Sequence, residues 1–154
     1  MEQSKWKLYY PDTTYTCQIL EQISRMSKNT MKDTIGYIGL GGIQHIYEVA
    51  DVYHCDSPEY SGDFLINKFG VKDGTYTKSD KVSPQTIGRS LGLMVLELVK
   101  DESEIPKMIY DIGTSWWMDE LDNYESDLYY QNETYHRECW YAGRILCDDI
   151  EEIY

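Results

Sequence analysis

Thr34-Ile35-Gly36-Tyr37-Ile38-Gly39-Leu40-Gly41-Gly42 is the stretch on which the fold class turns. Four of its nine residues are glycine. A glycine inside a helix costs roughly 1 kcal/mol relative to alanine. The stretch therefore reads as a strand or turn over 34–40. Read outward from there, the chain is otherwise mostly helical, and this segment makes the difference between an all-α and an α+β fold.

On its C-terminal side, Ile43, Ile46, Tyr47, Ala50 and Tyr53 recur with helical spacing until the Asp56-Ser57-Pro58 break. On its N-terminal side, Asp12, Thr13 or Thr14 is placed to cap a helix to about Ser27, with Tyr15, Ile19, Ile23 and Met26 on one face. Residues 6–10 alternate weakly before Pro11 and predict an edge strand or extended arm. Two short runs, 63–69 and 75–77, flank Lys72-Asp73-Gly74 and predict a hairpin over 63–78.

Ser83-Pro84 supplies an N-cap and a first-turn proline for a core helix spanning Ile87 to Val99. Gly88 and Gly92 share one of its faces and predict close packing of another backbone. Met108, Ile109 and Ile112 suggest a short helix ended by Gly113. Trp117, Leu121, Tyr124 and Leu128 form an apolar stripe on a helix over 116–130. A last helix is expected over about 132–153, with Cys139, Trp140, Ala142, Leu146, Ile150 and Ile153 on its apolar arc. The expected fold is α+β and predominantly helical: one domain of five or six helices with a small sheet or hairpin drawn from 6–10, 34–40 and 63–78.

The 154 residues contain 14 Lys and Arg against 27 Asp and Glu, a net charge of -13. Residues 1–100 hold eleven bases and twelve acids, a nearly neutral body at -1. Residues 101–154 hold three bases and fifteen acids, an acidic helical third at -12. Such a chain repels phosphate backbones and anionic membranes, so direct nucleic-acid or membrane binding is not expected. The N-terminus shows no apolar signal core, which points to the cytoplasm. Cys17, Cys55, Cys139 and Cys147 form no CxxC pair and are expected to be reduced there.

Several motifs invite chemistry. Ile38-Gly39-Leu40-Gly41-Gly42-Ile43 echoes the glycine turn that seats a dinucleotide pyrophosphate, but Gln44 occupies the third glycine position. Tyr60-Ser61-Gly62-Asp63 follows where a second strand and its acid belong, so the run reads as a turn. His45, Glu48, Asp51 and His54 follow one another at helical spacing and define an alternative catalytic set, a metal-dependent nucleotide hydrolase. All-helical nucleotide pyrophosphohydrolases hold Mg²⁺ with E-x-x-E followed by E-x-x-D. Glu48-Val-Ala-Asp51 resembles the second half, whereas Glu21 is followed by Ser24 and the first half is missing. His136, Cys139 and Cys147, with His54 and Cys55, lack the tight paired spacing of a zinc site. No cofactor or metal is expected.

The favoured functional reading rests on the acidic third. Trp116, Asp119, Glu120, Asp122, Glu125, Asp127, Tyr129, Tyr130, Asp148, Asp149, Glu151 and Glu152 set carboxylates about one helical turn apart among aromatic side chains. A ladder of that kind imitates phosphates and attracts a basic cleft, while the aromatics, Tyr135 among them, anchor it. The expectation is a small acidic inhibitor that occludes a basic nucleic-acid-binding protein or enzyme, of the anti-defence kind carried by phages and mobile elements. An immunity-type partner of a basic toxin has the same sequence character.

Overall fold

The computed structural model describes residues 3–79, 81–122 and 133–146. Among the described residues every regular element is helical, so the expected β component is absent. The correction begins at residues 6–10, which belong to α1 (Gln3–Ser27). Pro11 sits inside that helix and removes one backbone donor. Trp6, Tyr9 and Tyr10 pack against the core on the N-terminal side of the proline, and this burial outweighs the missing bond.

The glycine-rich segment lies within α2 (Met31–Glu48), whose N-cap Thr30 accepts a hydrogen bond from the Asp33 amide at 3.2 Å. Met31, Ile35, Ile38, Ile43 and Ile46 are all buried, and their spacing follows the helical period through the glycines. The interruption is confined to Gly39, with φ 73° and ψ 170° inside the helix. That backbone region is essentially open to glycine alone. The glycines thus mark a kink, and the core isoleucines on either side keep both halves helical.

Val49 leaves helical geometry (φ -118°, ψ 26°) and separates α2 from the single turn α3 (Ala50–Tyr53). The expected hairpin over 63–78 is also overturned. Residues up to 69 form α4 (Pro58–Phe69), opened by Ser57, whose Oγ accepts from the Tyr60 amide, and closed by left-handed Gly70. Residues 71–79 follow without regular structure and lie against the α1–α2 turn. The Gly74 amide donates to the Ser27 carbonyl at 2.7 Å, and the Tyr76 amide to the Lys28 carbonyl at 2.8 Å. Asn29 Nδ2 donates to the Lys72 carbonyl at 2.8 Å.

The helix α5 (Pro84–Leu98) is capped by Ser83 as its sequence predicts. It lies along α1 at close range. A Cβ on Gly88 would stand 2.6 Å from the Gln18 backbone, and one on Gly92 would stand 2.9 Å from Thr14. Asp101 and Glu104 close a capping box around a 3-10 turn at Glu102–Glu104. Then come α6 (Ile105–Gly113), α7 (Trp116–Asp122) and α8 (Glu133–Ala142). Trp117 and Leu121 are buried as the stripe predicts; Tyr124 and Leu128 lie outside the described residues. The last helix stops at Ala142, where Gly143 turns left-handed, rather than continuing through Leu146.

One polar network crosses this core. Lys78 Nζ donates to Glu21 Oε1 at 2.6 Å and to Asp122 Oδ1 at 2.7 Å, all three side chains being almost solvent-free. Glu21 also accepts from Arg25 Nε at 2.9 Å, and Asp122 from the Met31 amide at 2.9 Å. Two carboxylates and two cations balance, which is the condition for burying charge. No helix of the described residues is long and apolar enough to cross a membrane.

Candidate functional site

Of the acidic set in the last third, the structure describes four members. Asp119 is exposed, Glu120 is half-buried, and Trp116 is half-buried with its ring stacked on Trp140 at 6.4 Å. Asp122 does not belong to a surface, because Lys78 and the Met31 amide hold it inside. Glu125, Asp127, Tyr129, Tyr130, Asp148, Asp149, Glu151 and Glu152 lie outside the described residues. So does Cys147, while His136 and Cys139 are buried and His136 meets Trp117 edge-on at 5.4 Å.

The alternative set His45, Glu48, Asp51 and His54 does not converge. The break at Val49 takes Asp51 and His54 off the α2 axis. His45 Nε2 is hydrogen-bonded to the Tyr53 hydroxyl at 2.9 Å, and the His54 ring packs on Tyr15 at 4.8 Å. Glu48 and Asp51 point to solvent. Among the described residues no three His, Cys, Asp or Glu side chains group so as to hold a metal ion.

What the fold does assemble is an acid-rimmed aromatic surface on α3 and α4. Ser61 Oγ donates to the Tyr53 carbonyl at 2.9 Å and locks the start of α4 to α3. Leu65 and Gly62 face inward, with Gly62 close to Met26 of α1. The opposite side of α4 stays open. Tyr60 is 64% exposed and Phe64 48% exposed, one turn apart, with Tyr53 6.0 Å from the Phe64 ring and Val52 exposed next to Tyr53 in the chain. Tyr60, Asp63, Phe64, Asn67 and Lys68 line a depression of about 470 Å³.

Apart from Lys68 at the edge of the depression, the charge carried by the segments around this surface is negative. Between residues 33 and 67 the chain has no Lys or Arg, but it has Asp33, Glu48, Asp51, Asp56, Glu59 and Asp63. The last five are exposed; Asp51, Asp56, Glu59 and Asp63 lie on α3, on α4 or between them, and Glu48 ends α2. Other elements extend the field. Partial burial, then the Asp51 and Glu102 carboxylates, hold the Asp12 carboxyl above its ordinary range. Burial raises the Tyr47 phenol, Glu102 adds to the shift, and the hydroxyl donates weakly to Glu102 Oε1 at 3.4 Å. Partial burial raises Tyr15 as well. The Asp12, Asp51 and Glu102 carboxylates, gathered from α1, α3 and the 3-10 turn, lie close enough for Asp51 and Glu102 to disfavour the charge on Asp12.

The sequence contains two signals for this surface, the helical spacing of Tyr60 and Phe64 and the base-free span 33–67. An average over residues 1–100 hides the second. Comparison of the chain with protein-family models, curated proteins and solved structures returns no match.

Proposed function

We propose that this protein is a non-enzymatic binding protein that docks on the basic, nucleic-acid-gripping face of another protein and occludes it, acting in the cytoplasm. The observation that supports this most directly is the α3–α4 surface, where exposed Tyr60, Phe64 and Val52 stand among exposed carboxylates in a span without Lys or Arg. Carboxylates of this density raise the association rate with a basic face, and the aromatics supply the desolvated anchors. The excess of acids at 101–154 supports the same reading by its sign, with Asp119 exposed on the described part of that third.

The test is capture of partners at low and high salt, followed by competition between this protein and duplex DNA for each captured partner. Mutual exclusion with DNA is expected, along with weakening by salt. The charge reversals Asp51→Lys, Asp56→Lys, Glu59→Lys and Asp63→Lys together should abolish competition. Binding indifferent to both salt and reversal overturns the proposal, as does a partner that holds DNA and this protein at once.

A further inference from the structure

A second surface has the opposite electrical character. Trp6, Lys7 and Tyr10 of α1 meet Arg89 and Leu93 of α5 around a cleft of about 260 Å³. It lies along the seam where the two helices approach closely at Gly88 and Gly92. The Trp6 and Tyr10 rings stand 5.5 Å apart at 42°, and Leu93 contributes a buried apolar floor. Among the described residues, no carboxylate lines it.

Lys7 and Arg89 are exposed, and neither enters an ion pair with a described residue. In a chain with about twice as many acids as bases, two cations converging on an aromatic cleft without an acid among the described residues leave a local positive potential. A guanidinium and an ammonium there suit an anionic oxygen group, and the flat rings suit a planar one. The volume lies below the roughly 300–1,000 Å³ of pockets for larger ligands, which limits the body to about one ring.

We propose that this cleft binds a small free organic anion carrying a single aromatic ring, with its charged group between Lys7 and Arg89 and its ring against Trp6 and Tyr10. The site shares no residue with the α3–α4 surface, and it stands or falls independently of the function proposed above.

The test is titration of the full chain with phenyl phosphate and, separately, with inorganic phosphate and phenol. The reporter is the indole N–H resonance of Trp6, identified by its loss in Trp6→Leu. The expected result is a saturable shift with phenyl phosphate, with Kd of roughly 1 mM or tighter. Each half-ligand, and the double variant Lys7→Gln/Arg89→Gln, should bind at least about tenfold more weakly, a difference of about 1.4 kcal/mol. Both variant positions are exposed, and an unchanged melting temperature verifies the fold. A shift that does not saturate overturns the proposal. So does phenyl phosphate binding that survives both charge removals, or inorganic phosphate binding as tightly as phenyl phosphate.

Discussion

The ammonium of Lys78 lies 2.6 Å from the carboxylate of Glu21, and neither side chain is more than about 1% exposed. The lysine comes from the irregular segment between α4 and α5, and the glutamate from the C-terminal third of α1. Removing one member of a buried pair leaves the other uncompensated, at a cost of roughly 3–5 kcal/mol. Lys78→Met is therefore expected to lower the unfolding free energy by about that amount, measured by urea denaturation. Lys78→Met combined with Glu21→Gln and Asp122→Asn should recover part of the loss. A single variant as stable as the parent would contradict the assigned network.

Gly39 and its neighbours separate two roles that look identical in sequence. Gly39 occupies a conformation closed to other residues, so Gly39→Ala should destabilise by roughly 1–3 kcal/mol. Gly36 and Gly41 have open space where a Cβ would stand. Gly36→Ala and Gly41→Ala should be neutral or stabilising by up to about 1 kcal/mol. Thermal unfolding of the three variants distinguishes the cases.

Asp12 should titrate above its ordinary range, because partial burial, Asp51 and Glu102 all disfavour its charge. A carboxyl whose folded pKa exceeds its unfolded value withdraws stability as it ionises. The loss grows as pH rises through that window and is complete above it. Asp12→Asn should therefore melt higher than the parent at neutral pH and match it below the carboxylate range. Asp51→Asn should bring the Asp12 titration, followed by carboxyl NMR, back toward normal.

Thiol reactivity should follow burial. Cys17 is fully buried, and its thiol is pushed far up by desolvation, whereas Cys55 is exposed. Alkylation at neutral pH, mapped by peptide mass, should label Cys55 early and leave Cys17 and Cys139 until the chain unfolds.

Much of the helical frame is legible from local chemistry. Ser83-Pro84 starts α5, Trp117 and Leu121 face the core, and Gly88 and Gly92 admit α1. Local propensity points to β elements at 34–40 and 63–78, and packing overrides it: Ile35, Ile38, Ile43 and Ile46 hold α2 helical, and Leu65 holds α4. The candidate surface depends on the helix too: Tyr60 and Phe64 are about 6 Å apart in rise on a helix but about 13 Å apart on a strand. Asp122 resembles a surface acid in every local respect. Its partner Lys78 lies 44 residues away in sequence, and no local pattern announces such a pairing.

The balanced charges beneath α7 bear on how the chain can be divided. The change in charge near residue 100 invites a cut there, one piece to study as a scaffold and the other as an acidic module. A fragment ending at 100 would keep Lys78, Arg25 and Glu21 and lose Asp122, sealing a surplus cation in its interior. The complementary fragment would carry Asp122 with no cation to meet it. The electrical border is therefore not a folding border, and grafting the acidic third onto another scaffold requires supplying a substitute for Lys78.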